Sequence, residues 1–196
     1  MDILDKDYWD TRYKNEETGW DIGYPNPAIT RYFENVSRDA QILIPGCGNA
    51  YEGEALFEAG FTNLTLLDYS PSSKHNFLNR VPEFPEDRYL VGDFFEHQGS
   101  YDFIVEQTFF CAIDPGLRSD YVHYVHSLLK PDGILTGVLF KIPLFDDHPP
   151  FGGNEAEYRQ LFSGNFEIKQ MVPSVHSIPQ RRESELYIEL VRRKVN

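Results

Sequence analysis

The strand-like run Gln41-Ile42-Leu43-Ile44 opens directly into Pro45-Gly46-Cys47-Gly48, and a helical stretch over residues 51–59 follows, closed by Gly60. A second apolar run, Leu64-Thr65-Leu66-Leu67, ends on Asp68, twenty residues after Gly48. Strand, glycine turn, helix and strand in that order make a βαβ unit, which commits the chain to a sheet of largely parallel strands. The alternation continues. Ser70-Pro71 starts another helix with a hydroxyl cap and a proline at its first position. Residues 88–91 and 101–106 read as strands, 117–129 as a long helix, and Lys130-Pro131-Asp132-Gly133 as a turn into a fifth strand over 134–140.

The tail departs from this rhythm. After a helix near residues 155–162, the strand-like runs 166–172 and 185–191 have no helix-length segment between them, so they should pair antiparallel. The expected fold is α/β: a Rossmann-like, seven-stranded, mostly parallel sheet with helices on both faces and a C-terminal antiparallel hairpin. Residues 1–40 hold one helix, near 28–35, preceded by an irregular aromatic stretch. That segment is expected to cap the C-terminal edge of the sheet, where open α/β proteins bind ligands.

A chain of 196 residues can bury one sizeable core without staples, so residues 1–196 are read as a single domain. Its two cysteines, Cys47 and Cys111, form no disulfide framework. No apolar run approaches the roughly 20 residues needed to span a bilayer. The N-terminus, Met1-Asp2-Ile3-Leu4-Asp5-Lys6-Asp7, has neither signal-peptide nor transit-peptide character. A cytoplasmic, reduced protein with no membrane partner is the expectation. The net charge of −13 disfavours nucleic acid, because phosphate binding needs a basic surface. The only basic clusters are Arg181-Arg182 and Arg192-Arg193-Lys194. A monomer acting on a small molecule is expected.

Glycines in the 46–48 turn allow positive φ and close approach of a ligand, and the helix N-terminus beyond favours an anionic group. A carboxylate at Asp68 can accept protons from both hydroxyls of a ribose. Dinucleotide enzymes favour a third glycine where this chain has Tyr51, so a pyrophosphate fits poorly and a nicotinamide-dependent reductase is disfavoured. A methionine-derived tail needs only its amino and carboxylate groups held. The turn and Asp68 therefore point to S-adenosylmethionine, with S-adenosylhomocysteine as product. After the third strand, Asp93 can accept from an adenine amino group while Phe94 or Phe95 packs on the ring. For Asp93 a turn-capping role is the alternative, and for the phenylalanines core packing.

Several segments resemble the thiopurine S-methyltransferase superfamily of class I methyltransferases, and especially its thiol and halide methyltransferase branch. These are Gly19-Trp20-Asp21-Ile22-Gly23-Tyr24-Pro25-Asn26-Pro27, Leu43-Ile44-Pro45-Gly46-Cys47-Gly48, Thr108-Phe109-Phe110-Cys111-Ala112 with Arg118 beyond, and His176-Ser177-Ile178-Pro179-Gln180-Arg181-Arg182. Leu128-Leu129-Lys130-Pro131-Asp132-Gly133 is similar to a turn common to class I methyltransferases. The resemblance implies a seven-stranded sheet with Trp9 and Trp20 closing over the cofactor. The expected cofactor contacts are Trp9, Trp20, Gly46, Cys47, Gly48, Asp68, Tyr69, Ser70, Asp93, Phe94, Phe95 and Glu106.

Where the thiol and halide branch has Gly-Gly-Pro-Pro-Tyr, this chain reads Pro149-Pro150-Phe151-Gly152-Gly153, so the acceptor is left open. Methyl transfer from a sulfonium is an in-line displacement that needs alignment and exclusion of water. A halide or thiolate needs no base, and a thiol is helped only modestly by one, so no essential base is expected. Candidates for the acceptor pocket are Arg118, His148 and His176, with Phe110 and Phe151 as apolar walls. The function read is methyl transfer to a small soft nucleophile: a thiol, a thiopurine-like compound, a halide or thiocyanate. The alternatives are a non-catalytic protein that binds the cofactor, or an oxygen or nitrogen acceptor. His123 and His126 share a helix face, but no further ligand completes a metal set, and no metal is expected.

Overall fold

The computed structural model describes residues 4–194 of the chain. Met1 to Ile3 of the expected N-terminal cap, and the last two residues of the expected domain, lie outside them. Seven strands form one sheet: β1 (Ile42–Pro45), β2 (Leu64–Asp68), β3 (Tyr89–Val91), β4 (Tyr101–Gln107), β5 (Leu129–Phe140), β6 (Phe166–Pro173) and β7 (Glu185–Arg192). Their order is β3-β2-β1-β4-β5-β7-β6. The first five strands run parallel to their neighbours, whereas β7 pairs antiparallel with both β5 and β6. The mixed sheet and its terminal hairpin are as the sequence predicts.

The helices are α1 (Lys6–Lys14), α2 (Pro27–Phe33), α3 (Tyr51–Glu58), α4 (Pro71–Arg80), α5 (Arg118–Leu128) and α6 (Glu155–Phe162). Every residue of β1 and β2 is buried, the pattern of strands covered on both faces. Ile42, Ile44, Leu64 and Leu66 pack with Ile29, Phe33, Leu56 and Phe77 of α2, α3 and α4. Leu43, Leu67 and Ile104 point the other way, to Tyr121 and Val125 of α5 and Phe162 of α6. One run of apolar residues thus serves two cores, because successive strand side chains alternate faces.

Two local expectations change. The aromatic stretch at the N-terminus contains α1, started by Asp5, whose carboxylate accepts the Tyr8 N–H at 3.0 Å. The long helix begins with a 3-10 turn, Pro115–Leu117, and β5 starts at Leu129, before the expected turn. Tyr101 pairs with Leu129 and Phe103 with Ile134, so residues 130–133 form an irregularity inside the strand. Among the described residues no helix is long and apolar enough to cross a membrane.

Gly137 of β5 lies opposite Glu106 of β4, and a Cβ built on it falls 1.9 Å from the Glu106 carbonyl oxygen. Its φ of 148° also disfavours other residues. Gly137→Ala should therefore lower the unfolding free energy by about 3 kcal/mol, read from urea denaturation.

Candidate active site

The C-terminal ends of β1, β2, β3 and β4 open onto a cavity of about 940 Å³. Its floor is the turn after β1. Gly46, Gly48 and Ala50 all have positive φ, at 57°, 53° and 52°. A Cβ on Gly46 would lie 2.2 Å from the Phe109 ring, and one on Gly48 2.3 Å from the Tyr13 hydroxyl. Glycine is thus required at both positions for conformation and for space.

Asp68, 8% exposed at the end of β2, ties this turn down. Its Oδ2 accepts the Gly48 N–H at 2.8 Å and its Oδ1 the Ser70 N–H at 2.9 Å. Burial raises the pKa of this carboxyl, and the two amides oppose the rise by favouring the charged form. The Tyr89 hydroxyl fixes the same turn from below, donating to the Gly48 carbonyl at 2.6 Å. Burial and the nearby Asp68 charge push the Cys47 thiol well above its ordinary range, so Cys47 is a neutral wall residue.

The N-terminal residues form the facing wall. Asp10 of α1 accepts the Ser70 hydroxyl at 2.6 Å and the Ser72 N–H at 3.0 Å, and pairs with Lys14 at 2.6 Å. Burial opposes its ionisation, but Lys14, Ser70 and Ser72 outweigh that and hold the carboxyl well below the usual range. With α1 anchored on α4, the Trp9 and Tyr13 rings stand edge-on to Trp20 at 5.5 and 5.8 Å. Asp21 accepts from the Asn49 side chain at 2.5 Å, and Arg181 donates to the Trp20 carbonyl at 2.6 Å. At the β3 end, Asp93 accepts the Phe95 N–H at 2.8 Å and starts the turn Phe94–Glu96. Burial and the neighbouring Asp93 raise the pKa of the Tyr69 phenol.

Of the residues expected at the cofactor, Trp9, Trp20, Gly46, Cys47, Gly48, Asp68, Tyr69, Asp93, Phe94 and Phe95 line the cavity. Ser70 and Glu106 do not. The Ser70 hydroxyl is committed to Asp10. Glu106, 1% exposed, accepts the Phe109 and Phe110 N–H groups at 2.9 and 2.8 Å and the Tyr121 hydroxyl at 2.6 Å. It shapes the loop after β4 from beneath.

The residues expected around the acceptor lie elsewhere too. Arg118 is buried against the Phe110 ring, with Nη1 on Glu157 at 3.0 Å and Nη2 on the Gly152 carbonyl at 2.7 Å. Phe110 and Phe151 are 1% exposed core residues. His148 packs on Phe145 with ring centres 4.0 Å apart, and His176 is exposed. His123 and His126 turn to the Ser119 and Arg193 carbonyls, respectively.

Arg12, Tyr13, Ile22, Tyr24, Asn49, Glu52, Gln107, Phe140 and Arg181 line the cavity without having been singled out as site residues, and Pro149 and Pro150, from the segment that leaves the acceptor open, line it too. Ile22, Tyr24 and Arg181 sit in the two motif segments that flank the fold, which is the only sequence signal for them. The lining carboxylates, Asp5, Glu17, Asp21, Glu52, Asp68, Asp93 and Asp114, outnumber the cations Arg12 and Arg181. Such a field favours a ligand with a positive centre. The donors and acceptors fit S-adenosylmethionine: a cramped glycine turn at a helix start, a buried carboxylate beside it, and an aromatic wall near a second carboxylate.

Residues 4–196 match the family described as thiopurine S-methyltransferase (TPMT). The chain is 30% identical over 184 residues to a probable thiol methyltransferase 2 of Arabidopsis thaliana, covering 90% of this chain and 81% of that protein. It is 25% identical over 180 residues to a thiopurine S-methyltransferase of Vibrio cholerae, covering 83% of each. Among solved structures, a 1,6-didemethyltoxoflavin-N1-methyltransferase of Burkholderia thailandensis, bound to S-adenosylhomocysteine, superposes with a TM-score of 0.77. That pair covers 96% of this chain and 87% of the other at 18% identity, a likeness of fold.

Burial pushes the Glu106 carboxyl up to about 7 against the pull of its three donors. The folded protein therefore keeps a proton that the unfolded chain releases, and stability falls as pH rises from about 4.5 to about 7. Glu106→Gln, which cannot titrate, should flatten that part of the curve of unfolding free energy against pH.

Proposed function

The chain belongs to the thiopurine S-methyltransferase family, and on that premise we propose that it transfers a methyl group from S-adenosylmethionine to a small soft nucleophile, foremost a thiol. The observation that carries this reading is the buried Asp68 carboxylate fixing a glycine turn at the floor of an acidic cavity. In this reading the backbone of the 46–48 turn holds the amino-acid end of the cofactor. Asp68 accepts from the ribose hydroxyls with the lone pairs its amide donors leave free. Asp93, Tyr69 and the Phe94 and Phe95 rings hold the adenine. Bound there, the cofactor supplies a methyl group on a sulfonium, whose departure needs no acid.

What remains for the protein is alignment and dryness. Trp9, Tyr13 and Trp20 cover the site, anchored through Asp10 on one side and Arg181 on the other. The N-terminal 40 residues act in this reading as the cap. The acceptor enters along Ile22, Tyr24, Phe140, Pro149, Pro150 and Arg181, the part of the wall drawn from the cap and from the β5–β7 half of the sheet. Arg118 braces that wall through the Gly152 carbonyl. A cavity of about 940 Å³ lies near the top of the range of about 300–1,000 Å³ for small-molecule sites, which allows cofactor and acceptor together. Both cysteines are free, consistent with a reduced, cytoplasmic setting.

Calorimetry should show S-adenosylmethionine binding that weakens at least about tenfold in Asp68→Ala, equivalent to about 1.4 kcal/mol. Unaltered binding would remove Asp68 from the ribose. A screen with labelled S-adenosylmethionine should transfer label to alkyl thiols or to thiocyanate. Cofactor binding without transfer to any soft nucleophile would overturn the proposed activity.

A further inference from the structure

Two carboxylates in the cavity wall are more than nine-tenths buried, Asp68 and Glu52. They are not equivalent. Asp68 has an amide donor on each oxygen. Glu52, in the first turn of α3, has one: its Oε1 accepts the Asn26 N–H at 2.9 Å. Apart from its own backbone N–H, which also favours the charged carboxylate, no second amide or side chain among the described residues donates to it, and the residue lines the cavity.

The position of Glu52 is built rather than incidental. Asn26 is fully buried, and while its N–H holds Glu52 its side-chain amide donates to Gln107 Oε1 at 3.1 Å. Gln107 ends β4 and also lines the cavity. Glu52 is thereby linked through Asn26 to Gln107 at the end of β4, and it lies within the field of Arg181. Arg181 is on the acceptor's side of the cavity in the reading above.

We infer that Glu52 is the group that takes the proton from a neutral thiol acceptor. The inference rests on the methyltransferase reading. In the step, the S–H proton passes to Glu52 Oε2 while the thiol sulfur forms its bond to the transferred methyl carbon. The bond from that carbon to the sulfonium breaks with its electron pair, leaving a neutral thioether, and the proton later leaves Glu52 for solvent. Atoms and charge balance without a further reactant. Burial, opposed by the Asn26 amide and Arg181 and reinforced by Asp21, raises the proton affinity of Glu52, which strengthens it as a base. An acceptor that is already ionised has no use for it.

The test compares wild type, Glu52→Gln and Glu52→Asp on an alkyl thiol and on thiocyanate, with cofactor affinity measured separately by calorimetry. A thiol of pKa about 8.5 is only about 3% ionised at pH 7. Glu52→Gln should therefore lose roughly 10- to 30-fold in kcat on the thiol relative to thiocyanate, with cofactor Kd changed by less than about threefold. Its remaining thiol activity should climb with pH, following the thiolate fraction, whereas wild type stays flatter. Glu52→Asp, which keeps the carboxylate and reports on folding, should retain more thiol activity than Glu52→Gln. Equal losses on both acceptors, a weakened cofactor Kd that accounts for the loss, or an unchanged thiol rate would each overturn the role of Glu52 while leaving the methyltransferase reading intact. If wild type methylates neither acceptor, that reading fails and this one with it.

Discussion

A carboxylate placed under a loop organises this protein. Asp68 is removed from water at the end of β2, and the Gly48 and Ser70 amides that point at it favour its charged form against burial. The two donors come from different places: one from the turn after β1, the other from the turn that starts α4. One buried charge therefore sets the relative height of two strand ends, and the cavity floor follows from it. The left-handed φ angles at Gly46, Gly48 and Ala50 are the backbone cost of that geometry. They are tolerated because Tyr89 and Asp68 hold the turn from two sides.

The roof depends on the same turns. Asp10 reaches the Ser70 hydroxyl and the Ser72 amide, so α1 docks on the start of α4 beside Asp68. Arg181, from the connection between β6 and β7, reaches across 161 positions of sequence to the Trp20 carbonyl. The aromatic N-terminal wall is thus pinned by the start of α4 at one end and by the connection between β6 and β7 at the other. Floor and roof share partners, so a change at Asp10, which does not line the cavity, still acts on the site through Ser70.

The strands and helices were legible because periodicity and punctuation agree with the fold. Apolar runs, the Ser70-Pro71 cap and the missing crossover between β6 and β7 each fix an element by local physics. α1 was not legible: its inward-facing residues are Trp9 and Tyr13 among charges, and its stability comes from Asp10 meeting α4. The floor was legible as well, since a strand, a glycine turn and an acidic residue at the next strand end are close in sequence. The far wall of the cavity was legible only in part, through Pro149 and Pro150. Arg118, Phe110 and Phe151 are the right residue types in the right segments, yet Arg118 turns to Glu157 and Gly152 and both rings enter the core.

The sequence by itself determined the order of elements, the mixed sheet, the glycine turn after β1 with the carboxylate at the end of β2, and membership in one family, because each rests on neighbours in the chain or on short motifs. Tertiary structure decided which side chains face the cavity. It placed Glu106 beneath the loop after β4 and set Glu52, held by Asn26, in the wall. It brought Arg181 to Trp20. Those outcomes depend on which of two opposed faces a buried polar group can find partners on, and the partners lie between 3 and 161 residues away. No local pattern encodes that choice.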